Sequence, residues 1–285
     1  MKFFIGCAVW AYKDWVGEFY PPGTRASDFL KLYSDRFSTV EGNTTFYAVP
    51  KPDTVTRWTQ QTSPNFQFCL KLPKSITHQN SLTPNIPEAL QFVERMKPLG
   101  KKLAPMFAQL PPSYSPKSIN DLTTFLEAWQ QTKLELSLEV RHQNWFQEPH
   151  LSNLTTLLEN FNVGKVLLDT RPIYECEDDP QLHSERKKPQ LPVQFTTTSP
   201  FILIRFISHP NLPNNQPYIE EWANYIKQWL EQGKRIYLFI HCPLEEKSPA
   251  IARHFHKTLQ EFGAPIPSLP TWEKIDNSPT QLSLW

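Results

Sequence analysis

Two acidic residues and their near neighbours are the first sign of chemistry in this chain. Glu41 and Asn43 stand two apart in VEGN at 40–43, and Glu139 and Arg141 stand two apart in EVR at 139–141. Each pair closes a run that otherwise reads as a buried strand, and side chains two apart on a strand share a face. Burying such groups is costly unless each finds a partner, so their place at strand ends marks a polar site. Other apolar runs end in Lys71, Gln109, Asp169, Arg205 and His241. Three carboxylates, two arginines, a lysine and a histidine on one rim would suit an anionic or sugar-like ligand.

Two classes of function fit that set. As an enzyme, Glu41, Glu139 and Asp169 with His241 would hold a divalent metal ion and lower the pKa of its water, while Lys71, Arg141 and Arg205 steady developing negative charge. That chemistry is a metal-assisted hydrolase or lyase acting on a phosphate- or sugar-bearing substrate, damaged nucleic acid included. Without a metal, Glu41 or Glu139 is the general base and Lys71 its electrostatic partner. As a non-catalytic protein, the chain would bind a nucleotide, a sugar phosphate or single-stranded nucleic acid. Trp10, Tyr12, Trp15, Tyr47 and Trp145 then supply a stacking rim, with Asn43, His78, Gln109, His142, Arg205 and His241 as polar contacts. Each candidate also has an ordinary structural role: Glu139 and Arg141 can pair with each other, the histidines can be loop residues, and the aromatics can be packing.

The elements that must position these residues are legible from periodicity. Eight apolar runs, at 3–9, 39–46, 66–72, 103–110, 135–141, 164–170, 201–208 and 235–242, read as strands. Helical spacing lies between most of them, as in Leu122, Phe125, Leu126, Trp129 and in Ile219, Trp222, Ile226, Trp229. Nearly continuous apolar strands alternating with helices predict a parallel sheet covered by helices, closed in the simplest arrangement into a single (β/α)8 TIM barrel over 1–264. A charged, Pro-rich stretch at 171–200 predicts an irregular loop after strand six, and an extended tail is expected over 265–285. The net charge of +1 gives no global field to attract polyanions. The apolar N-terminus is too short for a membrane span and the four cysteines form no C-x-x-C pair, so a cytoplasmic protein with reduced thiols and no membrane partner is expected.

Several motifs in order resemble the domain of unknown function 72 family, the YecE-like TIM-barrel proteins, over residues 3 to about 263. They are Trp10-x-Tyr12-x-x-Trp15-x-Gly17-x-Phe19-Tyr20-Pro21, Val40-Glu41-x-Asn43-x-Thr45-Phe46-Tyr47, Phe68-x-x-Lys71-x-Pro73 with Thr77-His78, Gln109-Leu110-Pro111-Pro112, Glu139-x-Arg141-His142-x-x-Trp145-Phe146, and Arg205. The resemblance implies a TIM-barrel fold and no settled activity. By analogy of architecture alone, metal-dependent barrels that cut DNA at abasic sites suggest a role in DNA repair. The chain departs from the family pattern on one side: Gly6-Cys7-Ala8-Val9-Trp10 replaces G-T-S-G-W, Ile207-Ser208 replaces His-Gly, and His241-Cys242 replaces paired asparagines.

The last five residues, Gln281-Leu282-Ser283-Leu284-Trp285, resemble the peptide that docks on the bacterial sliding clamp. Gln281 would hydrogen-bond while Leu282, Leu284 and Trp285 fill apolar pockets, which makes the clamp an expected partner.

Overall fold

The computed structural model describes residues 2–182, 184 and 187–270. All eight expected strands form within these bounds: β1 (Phe3–Cys7), β2 (Thr39–Gly42), β3 (Gln67–Leu70), β4 (Met106–Gln109), β5 (Leu136–Glu139), β6 (Gly164–Asp169), β7 (Phe201–Ile207) and β8 (Arg235–His241). The longer helices are α1 (Phe29–Ser34), α2 (Pro52–Gln61), α3 (Ile86–Met96), α4 (Ile119–Gln130), α5 (His150–Asn160), α6 (Gln216–Glu231) and α7 (Ser248–Glu261). Apolar residues every three or four positions drive them onto the sheet, as Ile251, Ala252, Phe255 and Leu259 do in α7. Periodicity misses α2, because only Val55 and Trp58 of its ten residues are buried.

The closed eight-stranded barrel is not what forms. The strands pair in parallel as an open six-stranded sheet, in the order β1-β8-β7-β6-β5-β4, and a separate two-stranded sheet of β2 and β3. Local chemistry explains both gaps. Between β1 and β2, the Ile5 N–H donates to Ser38 Oγ at 3.0 Å and the Cys7 N–H donates to Tyr33 Oη at 2.6 Å. Side-chain oxygens thus take donors that a ladder would give to carbonyls. Between β3 and β4 only two isolated bridges occur, Phe68 with Leu103 and Lys71 with Phe107, and Pro105 has no N–H to offer there. Gly6 lets the two sheets approach: a Cβ at this position would lie 1.8 Å from the Thr39 carbonyl oxygen.

Inward-facing side chains form two layers. Phe4, Cys69, Phe107, Val166, Leu203, Tyr237 and Phe239 pack as one apolar cluster. Two residues further along several of these strands, toward their C-terminal ends, stand Lys71, Gln109, Arg205 and His241. The larger core lies between the strands and the helices. Among the described residues, no helix is long and apolar enough to cross a membrane. The chain from 265 to 270 turns back onto the body, where Pro267 O lies 2.9 Å from His256 Nε2. The clamp-like peptide at 281–285 lies outside the described residues.

Candidate functional site

Eight of the expected residues meet in one buried network, and Arg205 is its centre. Its Nε and Nη2 donate to the two oxygens of Glu41 at 2.8 and 2.9 Å, and its Nη1 donates to Glu139 Oε2 at 2.5 Å. The guanidinium therefore ties β7 to β2 of the other sheet and to β5. Glu41 also accepts from Asn43 Nδ2 at 2.7 Å and lies 3.0 Å from His241 Nε2. Arg141 Nε donates to Glu139 Oε1 at 2.7 Å, and Arg141 Nη2 donates to Gln109 Oε1, also at 2.7 Å. Lys71 Nζ donates to that same Gln109 oxygen at 2.8 Å and sits 3.9 Å from the centre of the Phe46 ring.

Burial makes this arrangement electrostatically tense. Glu41 is fully buried, yet the facing Arg205 and His241 hold its carboxyl well below the usual range. Burial would also raise Glu139, but Arg205 and Arg141 bring it down to about 2. His241 is pushed down to about 4, chiefly by burial, so its neutral ring donates from Nε2 to Glu41. Among the described residues Lys71 has no ion pair with a carboxylate; burial and then the nearby Arg205 push its ammonium down to about 7. Arg141, with 18% of its side chain exposed, and the half-buried Asn43 bring the network to solvent.

The donor atoms do not fit a divalent ion here. Glu41 receives four hydrogen bonds, which fills the acceptor capacity of a carboxylate. Glu139 has an arginine on each oxygen. Asp169, expected beside them, faces the other side of β6: it binds Arg171 at 2.8 Å and accepts from Trp222 Nε1 of α6 at 2.8 Å. Register explains the miss, because Asp169 pairs opposite Phe206 while inward Arg205 pairs opposite Leu168. A second group of ligand-type side chains, Cys176, Asp178 and His209, lies in and after the irregular loop. His209 Nδ1 accepts the Asn211 N–H at 2.9 Å, which leaves the ring proton on Nε2, facing Asp178 at 3.0 Å. That grouping is a hydrogen-bonded clamp.

The expected aromatic rim does not assemble. Trp145 is buried and donates to Tyr114 O at 2.8 Å, and Trp10 packs edge-on against Trp58 with ring centres 5.4 Å apart. Tyr12 lies against Trp15, ring centres 5.7 Å apart. His142 caps its own turn by accepting the Asn144 N–H at 3.2 Å. Only Tyr47 and His78 stay close to the network: both pack edge-on on Phe46, and burial with nearby Lys71 lowers His78 to about 4. Sequence reasoning missed Phe46 as the surface beneath Lys71, although it stands in the same motif as Glu41 and Asn43.

A family model described as Protein of unknown function DUF72 matches residues 4–274. The UPF0759 protein YecE of Escherichia coli strain K12 is 32% identical over 274 residues, covering 94% of this chain and 97% of that protein. The UPF0759 protein YunF of Bacillus subtilis strain 168 is 30% identical over 152 residues, covering 51% and 53%. A solved DUF72 family protein from Enterococcus faecalis v583 aligns with a TM-score of 0.69 at 17% identity, covering 95% of this chain and 99% of that one. Another, from Thermotoga maritima MSB8, aligns at 0.66 and 21% identity, covering 91% and 100%. At such identities the structural likeness concerns the fold alone. Taken with the motifs that build the Arg205 network, the family match over nearly the whole length means that the chain belongs to the DUF72 family.

Proposed function

We propose that the network binds a small anionic, sugar-like molecule and that Lys71 takes a proton from it, as the general base of a lyase-type reaction. The observation that carries this reading is the placement of Lys71: a buried amine held by a neutral amide and an aromatic face instead of a carboxylate. An amine in that setting can be neutral near physiological pH and accept a proton. The two glutamates are poor bases by comparison, since arginines occupy their oxygens and depress their pKa. Arg141 and Arg205 would then meet the negative charge that develops on the substrate.

Solvent hydrogen exchange tests the assignment. Phosphorylated ketoses and aldoses incubated with the protein in D2O should gain deuterium next to the carbonyl, read by proton NMR. Lys71→Met should slow that exchange at least about a hundredfold. Equal exchange in wild type and Lys71→Met would refute the role of Lys71. Binding without exchange would leave a non-catalytic sugar-phosphate binder, the reading favoured by the saturation of both glutamates.

A further inference from the structure

Two ionisable groups beside the network take no part in it. Lys188 lies in the segment after β6, where its N–H donates to Gln181 Oε1 at 2.7 Å and its carbonyl accepts from the Tyr174 hydroxyl. The same segment reaches the inward face, since Leu191 packs with Leu168 and Ile207. The Lys188 ammonium has no hydrogen bond or ion pair among the described residues. Glu245 opens the turn Glu245–Lys247 before α7, and its carbonyl accepts from Trp15 Nε1 at 3.0 Å. Its Oε1 and the Oγ of Ser248 face each other and are both buried without a hydrogen bond of good geometry to any described residue. Native structures seldom leave such atoms unpartnered, and a missing ligand is one physical reason.

We propose that Lys188 and Glu245 form an anion subsite for a phosphate group, the ammonium supplying charge and the carboxyl donating a hydrogen bond. The subsite extends the binding network that contains Lys71 and rests on that reading. It makes the ligand a phosphate monoester lying between Lys188 at one end and Lys71 at the other.

The local electrostatics support it. Burial pushes Glu245 up to about 8 and Lys188 down to about 8, so near neutrality the carboxyl keeps its proton and the amine its charge. Facing Lys188 are Arg205 of β7, Glu41 of β2, Arg141 after β5, His241 of β8 and Glu245. Facing Glu245 are the Ser248 hydroxyl, Lys188, Glu41, Glu246, the thiols of Cys7 and Cys242, and the phenols of Tyr12 and Tyr33. Those thiols and phenols are all raised by burial and stay neutral. Lys188 and Glu245 are thus the two groups that titrate together, and raising the pH above about 8 turns the subsite from cationic to anionic.

Calorimetric titration with inorganic phosphate tests this, using wild type, Lys188→Met, Lys188→Arg, Glu245→Gln and Lys71→Met, each first checked for folding by circular dichroism. Lys188→Met should weaken binding at least about tenfold, and Lys188→Arg should restore it. Wild-type affinity should fall by up to about a hundredfold per pH unit above pH 8, as two protons leave, and by about tenfold in Glu245→Gln. Lys71→Met should keep the two-proton slope. Equal affinity in Lys188→Met and wild type overturns the subsite, as does an unchanged slope in Glu245→Gln or no phosphate binding at all. Phosphate binding that needs Lys188, without solvent exchange that needs Lys71, would remove the general-base assignment alone; the converse result would remove the subsite alone.

Discussion

Glu139-Val140-Arg141 and Asp169-Thr170-Arg171 are nearly the same phrase at the ends of neighbouring strands, yet they do different things. Glu139 faces inward, meets Arg205 across the sheet and joins the polar network. Asp169 faces outward and locks Arg171 and α6 in place through Trp222. Both carboxylates are buried and both hold an arginine two residues on. The difference is one residue of strand parity, and it decides whether an acid belongs to a site or to the wall behind it.

The comparison can be broken most severely at Arg205. Arg205→Met leaves Glu41 and Glu139 buried and facing each other without a shared cation, and should cost about 3–5 kcal/mol in urea unfolding near neutral pH. A loss below about 1 kcal/mol would mean the network does not depend on that charge. The acid limb sharpens the same point. Glu139 is held at about 2, below its ordinary 4.5, so across that window the unfolded chain binds more protons and stability falls as pH falls. Glu139→Gln should flatten this limb, and an unchanged limb would separate Glu139 from the ion pair. On the outer side, Asp169→Asn should cost about 1–3 kcal/mol and leave phosphate affinity unchanged. An Asp169 variant that lost anion binding would erase the contrast between the two faces. The smallest effect is expected from Trp145→Phe, which gives up one hydrogen bond to Tyr114 O, about 1 kcal/mol, and no ligand affinity.

Much of the network is legible in the amino-acid sequence. Glu41, Lys71, Gln109, Glu139, Arg141, Arg205 and His241 stand out because a charged or amide group ending an apolar run is costly without a purpose. The aromatic residues mislead for the opposite reason: Trp10 and Trp145 look the same in sequence whether they stack on a ligand or fill a core. Lys188 and Glu245 are invisible there because each sits in an irregular segment, where no period announces which way a side chain points.

The sequence by itself determined the eight strands, most of the helices and the polar character of the strand ends, since these follow from local hydrophobic period and from the cost of burying charge. Tertiary structure alone decided three things. It left the sheet open at Ser38, Tyr33 and Pro105, where side chains or a missing donor end the ladder. It sent Asp169 outward while Arg205 turned in, and it brought Lys188 and Glu245 together from positions far apart in the chain. Register and loop placement depend on contacts between distant residues, and no local pattern encodes them.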